Sequence, residues 1–137
     1  MIGRVVVPTS GKGLHEFTHD VQAVVDASGI DEGLCTLMIQ HTSASLTIQE
    51  NADPSVQRDL ADALDRMAPE SHAYAHASEG PDDMPAHIKA MVTSTSLSIP
   101  VSAGRALLGT WQGLYLVEHR RAPHRREVLL RYQGTFR

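Results

Sequence analysis

GLYLVEH, residues 113–119, is apolar on both sides when it is extended. Because successive side chains of a strand alternate between its two faces, Tyr115 and Val117 share one face while Leu114 and Leu116 share the other. Strands that are buried on both faces show this composition, whereas half-exposed strands alternate between apolar and polar residues. The segment therefore predicts a central strand, and it ends in a histidine.

Helix and strand signals alternate irregularly on both sides of this segment. Asp53 before Pro54 predicts the start of a helix over residues 54–67, because aspartate caps a helix and proline is tolerated in its first turn. Another helix is predicted with Thr18 as its N-cap and a stop at Gly29. Strands are predicted at residues 2–7, 34–40, 44–49, 96–101, 105–118 and 126–133. This order, without a regular βαβ alternation, predicts an α+β fold with a mostly antiparallel sheet and a few packed helices.

Size and charge restrict the classes of function. The chain has 137 residues, of which 42% are hydrophobic, so residues 1–137 are interpreted as a single domain. A formal net charge of −4 argues against general affinity for nucleic acids or anionic membranes. One basic group is interpreted as a solvated hairpin turn between the last two strands, with RNA binding as the alternative: Arg120, Arg121, Arg125 and Arg126.

Cysteine usage and hydropathy favour an intracellular protein. Cys35, the single cysteine, lies in an apolar run and is expected to behave as a small hydrophobic residue, which fits a reducing compartment. The N-terminal apolar run is too short for a signal peptide, and no stretch approaches the ~18 apolar residues of a membrane span. We therefore expect a cytoplasmic protein with no membrane partner.

Three histidines lie at the boundaries of predicted elements. His41 closes an apolar run, His119 ends the GLYLVEH strand, and His87 lies on the apolar face of a short helix. Neutral imidazole is the commonest side-chain metal ligand, and three ligands with an open fourth position are typical of catalytic zinc sites. These three are therefore candidate ligands of one metal ion, with His76 of the loop at residues 68–81 as a candidate fourth. The alternative for His87 is a core histidine hydrogen-bonded to a carbonyl.

The ordered motifs of the chain resemble those of the YjbQ family over nearly the whole length. They are His41–Ser45, Glu50–Pro54, Glu79–Lys89, Ser96–Val101, Gly109–Gly113 and Glu118–Arg120. The resemblance implies a compact α+β sandwich that assembles as a homotrimer, with a histidine-rich, metal-binding cleft near the subunit contact. It also implies a secondary thiamine-phosphate synthase activity, which members of the family are described as having.

The implied reaction joins a pyrimidine diphosphate to a thiazole phosphate and releases pyrophosphate, so the departing diphosphate must be neutralised. Glu79, Asp82 and Asp83 are candidate acid/base groups, or ligands of a hard cation, beside the metal. The alternative for Asp83 is the N-cap of the helix that contains His87. Magnesium is possible with such oxygen ligands, whereas three imidazoles favour a zinc-type divalent transition metal.

Four further residues are candidate contacts of a phosphorylated metabolite: Ser43, Ser45, Arg105 and Trp111. Alternatively, the hydroxyls of the two serines bond only within a turn or a strand, and Arg105 is a surface charge. Trp111 lies between glycines that interrupt a predicted strand. Its ring is expected to form the wall of a ligand site, to pack in the core or to contact another subunit.

Three functions are compatible with this sequence. The first is a small metal-dependent enzyme with low thiamine-phosphate synthase activity. The second is a non-catalytic trimer that binds a metal or an anionic metabolite. The third is a metal-dependent hydrolase, because a bound metal lowers the pKa of water.

Overall fold

The computed structural model describes residues 2–137, and this range contains eight strands and three helices. In chain order they are β1 (Ile2–Thr9), β2 (Gly13–Glu16), α1 (Thr18–Ser28), β3 (Ile30–Ile39), β4 (Ala44–Glu50), α2 (Pro54–Met67), α3 (Asp83–Val92), β5 (Ser96–Ser102), β6 (Arg105–Ala106), β7 (Gln112–Glu118) and β8 (His124–Phe136). The named strands pair antiparallel, so the predicted α+β class with mostly antiparallel sheet is confirmed.

The strands form two sheets that enclose an apolar core. Five strands pair in the order β1-β8-β3-β5-β6, and three pair in the order β2-β7-β4. Side chains from both sheets and from α1 fill the core, among them the fully buried Val25, Leu37, Leu116 and Leu130. Within residues 2–137, each helix is too short or too polar to serve as a transmembrane segment.

β7 carries most of the GLYLVEH segment and is the middle strand of the small sheet. Leu114 and Leu116 belong to the core between the sheets, whereas Val117 lines a cavity together with Leu60 of α2. The predicted central strand with two buried faces is therefore confirmed. The strand predicted over residues 105–118 is interrupted, because an irregular connection separates β6 from β7.

α2 begins where the sequence predicts it. The carboxylate of Asp53 accepts a hydrogen bond from the backbone N–H of Ser55 at 2.9 Å, and Pro54 occupies the first helical position. α1 ends at Gly29, whose φ of 77° is the left-handed conformation that terminates many helices. Both predicted boundaries are confirmed. The assignment of Thr18 as the N-cap of α1 is wrong, because Phe17 is the N-cap and Thr18 is the first helical residue.

α3 differs from its prediction at the N-terminus. Asp82 is the N-cap residue and Asp83 is the first helical residue, so the assignment of Asp83 as the cap is wrong. The carboxylate of Asp83 contacts His76, His87 and Arg120 instead. The charge-assisted hydrogen bond from Arg120 at 2.8 Å is stronger than a bond to a backbone amide, which explains why the carboxylate does not cap the helix.

The predicted solvated hairpin between the last two strands is also wrong. β7 and β8 lie in different sheets, so the arginine-rich segment crosses from one sheet to the other. Arg126 is buried against Glu118, and Arg120 is bound to carboxylates near α3. Of this basic group, only Arg121 and Arg125 are exposed.

Candidate functional site

Three candidate metal ligands meet where α3 begins. His76 lies in the loop before the helix, Asp83 is its first residue, and His87 follows one turn later on the same face. The Nε2 of His76 lies 2.7 Å from Oδ2 of Asp83, and the Nε2 of His87 lies 3.2 Å from the same oxygen. One ligand atom of each residue lies within 4.8 Å of the others, and we call this group the His–Asp cluster.

The His–Asp cluster combines a buried carboxylate with two accessible imidazoles. The side chain of Asp83 is 4% exposed, whereas those of His76 and His87 are 44% and 33% exposed. A further ligand can therefore reach the imidazole side of the cluster from solvent. His76 also lies on the wall of a cleft of ≈ 450 Å³ that is formed by the loop between α2 and α3.

The backbone fixes His87 in one tautomer. Its Nδ1 lies 3.2 Å from the carbonyl oxygen of Thr42, and a carbonyl oxygen only accepts, so Nδ1 carries the hydrogen. In neutral His87 an unprotonated Nε2 then faces the carboxylate oxygen of Asp83 at 3.2 Å, and two lone pairs oppose each other. This contact is favourable only when a proton or a metal ion lies between the two atoms.

Arg120 orients the carboxylate of Asp83. Its Nη1 donates to Oδ1 at 2.8 Å, so one oxygen is held by the guanidinium while the other faces the imidazoles. Burial raises the pKa of Asp83, but the hydrogen bond from His76 and the charges of His87 and Arg120 outweigh burial and lower it below its ordinary value. Asp83 is therefore ionised at neutral pH, which is the form that a metal ion requires.

Of the other predicted acidic residues, Asp82 binds the guanidinium of Arg120, and Glu79 lies at the rim of the cluster. Asp82 accepts hydrogen bonds from the Nε of Arg120 at 3.0 Å and from the backbone N–H of Arg121 at 2.9 Å. Burial raises the pKa of Asp82, whereas these bonds bring it below its ordinary value. Glu79 is 65% exposed, with Oε2 at 3.6 Å from the Nε2 of His76. Their predicted acid/base roles stay predictions.

His41 lies outside the His–Asp cluster. Its Nε2 accepts a hydrogen bond from the backbone N–H of Glu127 at 2.9 Å, so this nitrogen is already occupied. Burial and the charge of Arg126 lower the pKa of His41 and favour the neutral imidazole. The segment nevertheless contributes to the cluster, because the neighbouring Thr42 supplies the carbonyl that orients His87.

His119 faces the protein interior. It is 2% exposed, and its Nε2 lies 2.9 Å from the hydroxyl of Ser45. Burial, with the charge of Lys89, lowers the pKa of His119 to about 4. Within residues 2–137 the structure therefore does not gather the predicted ligands His41, His87 and His119 into one group; only His87 belongs to the His–Asp cluster.

The four predicted substrate contacts are dispersed over the fold. The hydroxyl of Ser43 accepts from Arg126 at 3.1 Å, and Ser45 is a fully buried strand hydroxyl. Arg105 is exposed on β6, and Trp111 is 65% exposed in the connection to β7, so it does not pack in the core. In the range that the structure describes, no hydrogen bond joins any of them to the His–Asp cluster.

Two contributors to the cluster lack a local sequence signal: Arg120 and the carbonyl of Thr42. Arg120 and Asp83 are separated by 37 positions, so only the tertiary fold brings them together. Asp83 and His87 do have a signal, because residues four apart on a helix are neighbours. Their spacing predicts the pair on which the cluster is built.

The cluster fits a transition metal ion better than magnesium. Two imidazoles and one carboxylate are typical ligands of zinc or ferrous iron, whereas magnesium prefers oxygen ligands in octahedral geometry. Ligands at about 2.1 Å from a tetrahedral ion are roughly 3.4 Å from one another. The two separations from Asp83 are 2.7 and 3.2 Å, and all three ligand atoms lie within 4.8 Å of one another, so side-chain shifts would bring them to this geometry.

Sequence comparisons place this chain among proteins of one family. Residues 4–135 match the family described as UPF0047 protein YjbQ-like. A UPF0047 protein of Synechocystis sp. is 53% identical over 131 residues, which cover 95% of this chain and 89% of that protein. The UPF0047 protein YjbQ of Escherichia coli is 40% identical over 131 residues, which cover 95% of each chain.

Solved structures of similar proteins share the fold. An uncharacterized conserved protein of the YjbQ/UPF0047 family from Clostridium acetobutylicum superposes with a TM-score of 0.86 at 35% identity, covering 95% of this chain and 98% of that chain. A conserved hypothetical protein of Thermus thermophilus gives a TM-score of 0.85 at 37% identity, with coverage of 96% and 99%. These similarities show the family and the fold.

Proposed function

The chain belongs to the YjbQ-like UPF0047 family, and on that premise we propose that it is a metal-dependent enzyme acting on a small phosphorylated metabolite. His76, Asp83 and His87 would hold one divalent transition metal ion. The contact of His87 with Asp83 is the main support, because the carbonyl of Thr42 leaves the Nε2 of neutral His87 without a proton.

The residues around the ion have distinct tasks. When bound, the metal acts as a Lewis acid toward a phosphoryl or diphosphate oxygen. Arg120 holds one oxygen of Asp83, so that the other faces the imidazoles. Thr42 sets the tautomer of His87, which leaves its Nε2 free as a ligand. Three protein ligands leave at least one coordination position, and the exposure of the two histidines supports placing it toward solvent.

The cleft beside His76 supports a small heteroaromatic substrate. Its volume of ≈ 450 Å³ lies in the range of metabolite sites. His72 and Tyr74 line it, with their rings 4.8 Å apart, and offer aromatic surface to a ring. Arg121, 60% exposed and paired with Glu70 of the cleft wall, is an accessible cation for a phosphate group.

Thiamine-phosphate synthesis at a low rate is the specific reaction that we propose, and its substrates come from the family resemblance. The carbon–oxygen bond to the diphosphate of the pyrimidine breaks, the thiazole nitrogen bonds to that carbon, and pyrophosphate leaves. Charge neutralisation of the departing pyrophosphate is the main requirement. A metal ion in the His–Asp cluster would supply positive charge, and Arg121 supplies a second cation beside Glu70 of the cleft wall.

A metal-dependent hydrolase is the second candidate. The 44% exposure of His76 favours it, because water reaches the open side of the cluster without a lid. Hydrolysis needs water and one phosphorylated substrate, whereas the synthase reaction needs a second substrate that displaces the diphosphate. The presence or absence of the thiazole phosphate therefore separates the two reactions.

Metal content of the untagged protein tests the site. After incubation with zinc or ferrous iron and desalting, we expect about one ion per chain by plasma mass spectrometry. His76→Ala and His87→Ala should lose the ion, whereas His72→Ala, an exposed histidine of the same loop, should retain it. Loss of metal on His41→Ala with retention in His76→Ala would reject the His–Asp cluster.

Turnover separates an enzyme from a binding protein. Pyrophosphate release is measured with the pyrimidine diphosphate alone and with the thiazole phosphate added, for the wild type and for Asp83→Asn. The synthase proposal requires release that depends on the thiazole and falls with the variant. Thermal stabilisation by the substrates without any consumption supports instead the non-catalytic trimer that binds a metal or an anionic metabolite.

A further inference from the structure

Lys89 is a buried cation on α3. Its side chain is 4% exposed, and its Nζ donates one hydrogen bond, to Oδ1 of Asp65 on α2 at 2.5 Å. An ammonium group carries three N–H donors, and burying charged donors without partners is unfavourable. In the described range, 2–137, the other two donors have no hydrogen-bonded acceptor in the chain.

Lys12 approaches the same carboxylate oxygen. Its Nζ lies 3.1 Å from Oδ1 of Asp65 and 2.9 Å from Oε2 of Glu70. Glu70 is shared in turn with Arg121. Lys12, Lys89 and Arg121 thus share the carboxylates of Asp65 and Glu70, so this network has one more positive than negative charge.

Two cavities adjoin these lysines. Lys12 and Lys89 both line a cavity of ≈ 20 Å³, which we call the lysine cavity and which has room for one water-sized atom. A larger cavity of ≈ 190 Å³, the α2 chamber, lies between α2 and the small sheet. The two cavities have three wall residues in common: Leu14, Leu64 and Val117.

The α2 chamber is open because α2 packs loosely on the small sheet, and its walls are mostly apolar. Leu60, Ala63 and Leu64 face it from the helix, yet no residue of α2 is fully buried and Met67 is 60% exposed. None of the residues that line the chamber or the lysine cavity lines the cleft beside His76. The two cavities therefore have no wall residue in common with that cleft, although Glu70 of the cleft wall binds Lys12.

We propose that the α2 chamber and the lysine cavity together bind a small organic monoanion with an apolar body, of the class of aromatic or branched monocarboxylates. The apolar body occupies the chamber, and one carboxylate oxygen enters the lysine cavity and accepts hydrogen bonds from Lys89 and Lys12. The anion balances the excess positive charge of the network. An engineered apolar cavity of about 150 Å³ holds a benzene ring in another protein, so ≈ 190 Å³ is sufficient for a ring of that size.

Benzoate is the probe, with benzamide as the neutral analogue and acetate as the anion without an apolar body. The full chain carries methyl labels, and the resonances of Leu14, Leu64 and Val117 are followed during titration. Saturable shifts with benzoate are expected. Benzamide should bind at least about tenfold more weakly, because a hydrogen bond to a charged group contributes about that factor or more. Acetate should also bind at least about tenfold more weakly, because it has no apolar body to fill the α2 chamber. Equal binding of benzamide and benzoate would overturn the role of the lysines.

Two variants locate the site. Lys89→Met should weaken benzoate binding by at least about tenfold, and Ala63→Phe should abolish it by filling the chamber. Ala23→Phe, the same change on the exposed side of α1, is the matched control and should leave binding unchanged. If Lys89→Met does not fold, Ala63→Phe and the benzamide comparison still decide the matter.

Retention of the benzoate shifts in Ala63→Phe contradicts the α2 chamber as the binding site. Methyl shifts that follow protein concentration without any ligand also contradict it, because a second copy of the chain then fills the chamber. The readout is ligand binding and not metal content or turnover, so the outcome is independent of the proposed metal site.

Discussion

Arg120→Met removes a guanidinium that binds two buried carboxylates. Arg120 donates to Asp82 at 3.0 and 3.3 Å and to Asp83 at 2.8 Å. Asp82 and Asp83 are 7% and 3% exposed, so water does not readily replace the lost partner. Methionine retains most of the apolar length of the arginine stem and carries no donor, which makes the guanidinium the main difference.

We expect the free energy of unfolding at pH 7 to fall by about 2–4 kcal/mol. Removing one partner of a buried ion pair costs about 3–5 kcal/mol, because the other charge stays buried and unpaired. The side chain of Arg120 is 23% exposed, and solvent screening places its effect toward the lower end. The same variant should bind metal about 10- to 100-fold more weakly, since the partner that orients a ligand is lost.

The loss of stability in Arg120→Met should decrease as the pH falls. The pKa values of Asp82 and Asp83 lie below the ordinary value in the folded protein, so the unfolded chain takes up protons first as the pH falls. Stabilisation by Arg120 is therefore fully present above the unfolded aspartate pKa of about 3.9 and is lost as the pH falls through the lower folded values. The difference between wild type and Arg120→Met should narrow below about pH 4.

Urea denaturation followed by far-ultraviolet circular dichroism, at several pH values, measures these differences. Arg121→Met is the matched control: its side chain is 60% exposed and pairs with Glu70, so we expect less than about 1 kcal/mol. If Arg120→Met is no less stable than Arg121→Met, or if its deficit is the same at pH 7 and pH 3, Arg120 does not support the cluster as described.

Three other substitutions test the fold. Glu118→Gln leaves Arg126, 3% exposed, without its ionised partner and should lower the melting temperature by about 10 °C or more in a thermal scan. Gly33→Ala would drive its Cβ into the carbonyl oxygen of Gln133, so β3 and β8 must separate and urea stability should fall by at least about 2 kcal/mol. The pKa of His119 is lowered from 6.5 to about 4, so between these pH values the unfolded chain takes up a proton that the folded protein does not, and the free energy of unfolding falls as the pH falls. His119→Gln should remove about 3 kcal/mol of this pH dependence.

Local signals predict the elements of this fold where one residue type determines the backbone. Asp53 and Pro54 define the start of α2, and Gly29 ends α1. The composition of β7 predicts its central place, because both of its faces must be covered. The connection from β7 to β8 is mispredicted as a hairpin, since nothing in a short turn-like segment shows whether the next strand joins the same sheet.

The candidate site is only partly predictable for a different reason. An imidazole at the end of a strand indicates a polar group at the edge of the core, but its partner is set by the register of strands far away in sequence. The Nε2 of His41 accepts a hydrogen bond from the backbone N–H of Glu127, 86 positions away. The Nε2 of His119 is hydrogen-bonded to the hydroxyl of Ser45, 74 positions away. Only the pair of Asp83 and His87, one helical turn apart, is encoded locally.

The three segments of the predicted histidine site nevertheless meet at the His–Asp cluster, through different atoms. Thr42, next to His41, offers its carbonyl, and Arg120, next to His119, offers its guanidinium. Of the three predicted ligands, only His87 contributes its imidazole.

This arrangement separates the ligands from the groups that orient them. A carbonyl sets which nitrogen of His87 is free, and a guanidinium sets which oxygen of Asp83 is free, so both ligand atoms have a lone pair directed at one point. A side-chain substitution at Thr42 keeps the carbonyl, whereas one at Arg120 removes the guanidinium. Substitution can therefore disturb the orientation of Asp83 but not the tautomer of His87. A change at Arg120 should lower the affinity for metal more than a change at Thr42.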